Sequence, residues 1–275
     1  MQTPSGNLWR QMMRLPFDRY SERTESADTE KAFWRRFMPQ WSKHIPDSYS
    51  LPVANRLYGL MEAAGGVDTA LELGPGWGNY TLGLAARCRR LTCVDISPDV
   101  LDYIEQITTD AGCGPVDTIL SEWESAEPPV CDLAFAYNCF YRMKHIEDNL
   151  LKLDRSARKL CVIGMNRSPE QPYLPILEHE LGLAVRYTRM DYHQIWDILG
   201  ELGITAQMIE IPNVRDYHYD SFEAVFDRTV QYIEGPYDPQ AVREVLLRYH
   251  TALDGGYTCR YLFVSGLLYW QPANG

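Results

Sequence analysis

The sequence predicts an α/β fold: a doubly wound, mostly parallel sheet, preceded by a helical segment and followed by a cap. Three observations lead there. Short apolar runs alternate with helical stretches from residue 52 to residue 165. The first run breaks into Gly74, Gly76 and Gly78 just before a helix-like stretch, the strand–turn–helix unit that lets a backbone approach a ligand. The chain has 275 residues, 45% of them hydrophobic, enough for one full α/β core plus embellishments.

The elements follow in order. Residues 1–28 are polar and read as loose, with Ser21 to Thr29 as a linker or helix start. Glu30 to Trp41 carries Phe33, Phe37 and Trp41 at helical spacing with Trp34 beside them, and Pro39 should kink or end it. Pro52 to Ala64 is a second amphipathic helix, closed by Gly65 and Gly66. The first strand ends in the glycine turn, and a helix, Tyr80 to Arg87, follows. Arg90 to Val94 is the second strand, ending at Asp95 and Ile96. Ser97 is the expected N-cap of the next helix, with Pro98 at its first position. Val116 to Leu120, Cys131 to Tyr137 and Lys159 to Met165 are strands three to five, with a helix at Glu147 to Leu153.

After residue 166 the rhythm changes. Arg167 to Arg186 is proline-punctuated, then helical. Asp191 to Leu202 is an amphipathic helix, and Ile204 to Ile211 alternates like a strand. Ser221 to Glu234 and Pro239 to Leu253 read as helices, and Arg260 to Tyr269 as a closing strand. The expected organisation is an N-terminal extension and lid at 1–50, a core at 51–166, a cap at 167–258 and a closing strand within 259–275.

Composition excludes several functions. A formal net charge of −11 opposes nucleic-acid binding, which needs clustered cations, and binding to an anionic membrane surface. No apolar run is long enough for a transmembrane span, and Met1 to Arg14 lacks a signal-peptide core. Seven scattered cysteines without C-x-x-C spacing read as reduced thiols in a cytoplasmic protein, with no metal site.

Residues 71–79 read L-E-L-G-P-G-W-G-N. The dinucleotide fingerprint spaces its glycines G-x-G-x-x-G, whereas here the third comes one residue early and Asn79 takes the fingerprint position. The pattern E-x-G-x-G-x-G resembles motif I of the class I S-adenosylmethionine (SAM)-dependent methyltransferases. The resemblance covers about residues 30–165 and implies a Rossmann-like core, SAM as cofactor and S-adenosylhomocysteine as product.

It also implies roles. Gly74, Pro75, Gly76 and Gly78 would pass the methionine part of SAM, and Glu72 would receive its ammonium. Asp95, with Ile96 beside it, would hold the ribose hydroxyls; an acid about 20 residues after the glycines does that work in dinucleotide folds. Glu122 and Trp123, after strand three, would read adenine. Asn138 and Tyr141, after strand four, lie where ligands of open α/β sheets bind and would line the acceptor pocket. Asn138-Cys139-Phe140-Tyr141 shares N-x-x-Y spacing with adenine methyltransferases but lacks their prolines. His145 is the best single candidate base, because histidine titrates near neutrality, although a helix-start or surface histidine is the commoner reading of such a residue. In the cap, Tyr187, Asp191, Tyr192, His193 and Trp196 are aromatic-pocket or core residues, and Glu178-His179-Glu180 stands apart.

The expected function is methyl transfer to a small-molecule acceptor; a homodimer is compatible with it. Three alternatives compete: a SAM-binding regulatory module without turnover, a nicotinamide-dependent oxidoreductase, and an aminopropyl transferase using decarboxylated SAM.

Overall fold

The computed structural model describes residues 2–14, 20–38, 46–167, 171–186 and 190–273. The expectations placed on Pro39, Trp41 and Tyr187 lie outside these residues. The chain divides into two compact units: Met1–Asn166 with Met190–Ile211 and Ser265–Gly275, and Arg167–Arg189 with Pro212–Val264.

The first unit is built on the strands β1 (Thr69–Leu73), β2 (Arg90–Asp95), β3 (Val116–Leu120), β4 (Cys131–Tyr137) and β5 (Ala157–Asn166). They are mutually parallel, as the strand–helix alternation requires. The sheet order is β3-β2-β1-β4-β5-β10-β7, where β7 spans Gln207–Tyr219 and β10 spans Gly256–Trp270. β10 runs antiparallel to β5, so the returning strand lies inside the sheet and β7 takes the edge. Helices α4 (Leu51–Ala63), α5 (Thr81–Ala85) and α6 (Pro98–Asp110) bury Val53, Leu57, Leu84, Val100 and Ile104 against Ala70, Leu91, Leu133 and Phe135.

Residues 3–13 are not loose. Thr3 caps α1 (Pro4–Met12), accepting from the Gly6 N–H, and Pro4 occupies the first turn. Trp9 is fully buried, and its indole N–H donates to the Met143 carbonyl over 3.0 Å. Arg10 grips both oxygens of Glu147, at 2.7 and 3.0 Å, on α7 (Ile146–Arg155). A Cβ on Gly6 would fall 2.0 Å from Glu147 Oε1, so a larger residue there would displace the carboxylate that Arg10 holds. The polarity of residues 1–14 hid one apolar anchor and one buried ion pair. Two further helices follow: α2 (Glu22–Glu25) and α3 (Ala27–Phe37), the latter capped by Ser26.

The stretch expected as one cap is interrupted. α9 (Tyr192–Glu201) belongs to the first unit, burying Tyr192, Ile195, Ile198 and Leu199. The Tyr192 ring fills the space left by Gly266, where a Cβ would lie 2.2 Å from Tyr192 Cγ. Asp191 and Gln194 form the capping box that starts this helix.

The second unit holds α8 (Leu174–Leu181), α10 (Phe222–Val230) and α11 (Pro239–Tyr249), the small antiparallel pair β6 (Ala184–Val185) and β8 (Ile233–Glu234), and β9 (Thr251–Leu253) against β10. The helices expected at 221–234 and 239–253 stop early, at a turn over Gln231 and Tyr232 and at the extended His250, each leading into a short strand. Its core packs Tyr173, Leu177, Val225, Val242 and Leu246 around Tyr261, whose hydroxyl bonds Tyr173 at 2.9 Å and Tyr219 at 2.7 Å.

Candidate functional site

The site gathers at the carboxyl ends of β1, β2 and β4. Gly74, Gly76 and Gly78 have φ of +66°, +50° and +73°, the left-handed region that other L-residues enter at a cost. Space binds them too. A Cβ on Gly74 would lie 2.9 Å from the Cys139 Cβ, and one on Gly78 would lie 2.5 Å from Ile107 on α6. Side chains at Gly74 and Gly78 would therefore force their neighbours to shift, and within the loop only Pro75 and Trp77 carry them.

Two carboxylates flank this loop. Glu72 is 1% exposed; it accepts from the Thr81 hydroxyl at 2.7 Å and lies 3.9 Å from the Cys93 sulfur. Burial pushes its carboxyl up to about 7, against those hydrogen bonds. Asp95 accepts the Ser97 N–H at 2.8 Å, and burial raises it likewise to about 7, with the charge of Glu30 adding to the effect. Among the described residues no Lys, Arg or His forms an ion pair with either. Buried acids without a cation suit a ligand that brings an ammonium and hydroxyls. Ser97 holds the N-cap position, but its side chain makes no capping bond and its buried hydroxyl has no partner. Asp95 satisfies the backbone there instead. Ile96 is half-buried beside it.

α3 lies over the loop. The Trp34 ring would meet a Gly76 Cβ at 3.4 Å, and Trp34 and Phe37 pack on Trp77 with ring centroids 5.8 and 4.8 Å apart. Glu30 accepts from the Trp34 indole at 3.0 Å and from Arg23 at 2.6 and 2.8 Å, and lies 3.4 Å from Arg142 Nε. The aromatic stripe thus packs on the glycine loop through a buried carboxylate, a link that helical spacing alone could not reveal.

The adenine expectation divides. Glu122 is exposed after β3 and can accept from a ligand amine. Trp123 is a packing residue: 4% exposed, it donates to the Asn149 carbonyl at 3.3 Å with the Lys152 ammonium 4.8 Å from its ring. α7 already covers that indole, which corrects its expected role in stacking on a base.

Asn138 has φ of +51°, the sole non-glycine residue with positive φ among those described. Its N–H donates to the Gly164 carbonyl and its Oδ1 accepts the Asn166 N–H, each at 2.8 Å, so the ends of β4 and β5 are clamped together. Tyr141 lies in a 3-10 turn, Phe140–Arg142, with the Arg142 guanidinium 4.9 Å from its ring. His145 is exposed at the N-cap position of α7, and no hydrogen bond joins it to Asn138 or Tyr141 among the described residues. Tyr192 and Trp196 do not form a shared pocket: the first is core, its hydroxyl on Glu210, and the second is 44% exposed. Asp191 is spent on its helix cap, His193 pairs with it at 3.0 Å, and Glu180 pairs with Arg248. No group of three or more His, Cys, Asp or Glu able to hold a metal occurs among the described residues, and none of their helices is long and apolar enough to cross a membrane.

Residues 70–164, which contain the glycine loop, Glu72, Asp95 and Asn138, match the family model described as a methyltransferase domain. The stretch from β1 to β5 is similar to a methyltransferase domain. The fold is shared with a provisionally assigned methyltransferase from Bacillus halodurans, at a TM-score of 0.50 and 14% identity, over 78% of this chain and 97% of that one. The YcgJ protein of Bacillus subtilis gives a TM-score of 0.50 and 14% identity over 78% and 96%. The N-methyltransferase NodS from Bradyrhizobium japonicum, solved with S-adenosylhomocysteine, aligns over 95% and 98% at 13% identity, with a TM-score of 0.44. No curated protein matches the chain. The sequence singled out the glycine loop and both acids as candidates. It missed Glu30, Arg142 and Asn166, which act through contacts between distant segments and leave no local motif.

Proposed function

We propose that the chain is a SAM-dependent methyltransferase acting on a small-molecule acceptor. The observation that carries this reading is the loop of three left-handed glycines set between two buried carboxylates that pair with no cation among the described residues. The residues fit the cofactor. Glu72 would take its ammonium, Asp95 its ribose hydroxyls, Glu122 its adenine amine, and the Gly74–Gly78 backbone its methionine chain. Bound there, SAM supplies an electrophilic methyl group on a sulfonium.

The protein's share of an in-line displacement is alignment and exclusion of water. Asn138, fixed by its two hydrogen bonds, and Tyr141 orient the acceptor at the end of β4. Trp34, Phe37 and Trp77 cover the glycine loop. A base is required only for an acceptor that must lose a proton. His145 is the proposed base for that case, its exposure giving the proton a route to water.

Calorimetric titration with SAM, S-adenosylhomocysteine and NAD, on the wild type and on Asp95→Ala, tests the reading. Micromolar binding of the first two, lost in the variant, is the expected result. NAD binding alone, or binding of none, would overturn it.

A further inference from the structure

Two guanidinium groups share one carboxylate above the glycine loop. Glu30 is engaged at both oxygens before the second arrives. Arg23 donates from Nε to its Oε2 at 2.6 Å and from Nη2 to its Oε1 at 2.8 Å, and the Trp34 indole donates to Oε1 at 3.0 Å. Arg142 comes last. Its Nε lies 3.4 Å from Glu30 Oε2, yet that nitrogen is buried without a hydrogen bond. Among the described residues, the hydrogen bond that Arg142 does make runs from Nη1 to the Ser21 hydroxyl at 3.3 Å, and Glu30 is the acid that pairs with it. A guanidinium presents its N–H donors in a fixed fork, and most of those of Arg142 are unspent. Two cations on one anion also leave positive charge in excess.

That charge is within a ligand's reach. The Arg142 side chain is 23% exposed. It ends the turn after β4, three residues beyond Cys139, which packs against Gly74, and its guanidinium carbon lies 4.9 Å from the Tyr141 ring. On its other side Glu30 belongs to α3, whose Trp34 ring lies over Gly76, and the Glu30 charge is felt at Asp95. The fork is therefore held beside both the glycine loop and the turn that carries Tyr141. The acids of the site, Glu72 and Asp95, suit an ammonium and hydroxyls but repel a carboxylate, which needs a cation to meet it. Guanidinium and carboxylate match through two parallel N–H···O bonds, each roughly twice as strong as a neutral one.

We propose that Arg142, held by Glu30 and Ser21, is the carboxylate-receiving residue of this site, and that it selects ligands carrying a carboxylate over otherwise matching ligands that lack one. This rests on the methyltransferase reading and adds a chemical requirement of the same site. Two ligands could bring the group. One is the cofactor, whose amino-acid end carries a carboxylate beside its ammonium; the competing aminopropyl-transfer reading needs a cofactor without it. The other is an acceptor that is itself an acid.

The test reads one affinity ratio in two arms, on the full chain. In the cofactor arm, calorimetry compares S-adenosylhomocysteine with its decarboxylated analogue, which keeps the ammonium. In the acceptor arm, ligand-observed NMR compares benzoate with benzamide on the chain saturated with S-adenosylhomocysteine. In at least one arm the carboxylate-bearing member should bind about tenfold tighter, and that arm names the source. Arg142→Gln should bring that ratio to within about twofold by weakening the carboxylate-bearing member alone. A merely structural role would weaken both members alike and leave the ratio unmoved. Arg142→Lys keeps the charge without the fork and should lower the ratio about threefold, which reads the same effect if Arg142→Gln does not fold. Equal binding within both pairs by the wild type, or a ratio that neither variant moves, would overturn the proposal while leaving the cofactor reading intact. Failure of the wild type to bind either S-adenosylhomocysteine or its analogue would instead overturn the cofactor reading, and this proposal with it.

Discussion

At the scale of single residues, Glu72 and Asp95 decide how the site responds to pH. Both carboxyls sit near 7 because burial penalises their charged forms. The sign follows from linkage. Between about pH 4 and pH 7 the folded chain keeps protons that the unfolded chain has lost, so these two groups make stability fall as pH rises through that window and level off above it. A ligand ammonium at Glu72 reverses the preference and draws its carboxyl down. SAM binding at pH 6.5–7 should therefore release on the order of one proton. Calorimetry in two buffers of different ionisation enthalpy reads this directly, and identical heats in both would sink the idea. Gly78 makes a separate prediction. Gly78→Ala meets a left-handed φ of +73° and Ile107 at 2.5 Å. Roughly 1–3 kcal/mol of stability should be lost, from the backbone and overpacking penalties together. Urea unfolding measures it, and SAM affinity should fall alongside.

At the scale of elements, the N-terminal helices are the part whose behaviour the local pattern misrepresented. Trp9 and the Arg10–Glu147 pair dock α1 beside the segment that follows the 3-10 turn. Trp9→Ala should destabilise the chain by about 3–5 kcal/mol, as expected for deleting a fully buried tryptophan. Burial alone would raise the Glu147 carboxyl, but bonds from Arg10 and the Thr3 N–H outweigh it and hold the group at about 2. Its contribution is complete above about pH 4.5 and is lost as pH falls toward 2. Tryptophan fluorescence over that range should report α1 leaving its site in the wild type and no such transition in Glu147→Gln. α3 gives a different test, because Glu30 joins Arg23, Arg142 and Trp34 above the glycine loop. Glu30→Gln should keep the fold and raise the SAM dissociation constant several-fold; an unchanged constant would remove α3 from the cofactor site.

At the scale of the whole molecule, Gly266 and Tyr192 decide which unit α9 joins. The ring occupies the volume a side chain at 266 would need. Gly266→Ala should cost more than a surface substitution by several-fold, in the overpacking range of about 1–3 kcal/mol, with Tyr192→Phe unable to relieve it. Thermal unfolding of the two variants checks this.

The core was legible for a physical reason: each of its strands and helices is specified by residues adjacent in the chain. The strands at 116–120 and 131–137 appear with the expected bounds, the second as a buried apolar run and the first as a half-exposed strand at the sheet edge. The glycine loop was equally local, because left-handed φ demands glycine wherever it occurs. Glu72, Asp95 and Asn138 follow from position at strand ends. By itself, then, the sequence determined the α/β class, the order of the five parallel strands along the chain and the place of the glycine loop. Tertiary structure alone decided that Trp123 serves α7, that residues 1–14 are anchored, that α9 belongs with the core, and that Asn166 meets Asn138. Each of those outcomes depends on a partner more than 20 residues away, and periodicity reports only which face of an element is apolar, never what will cover it.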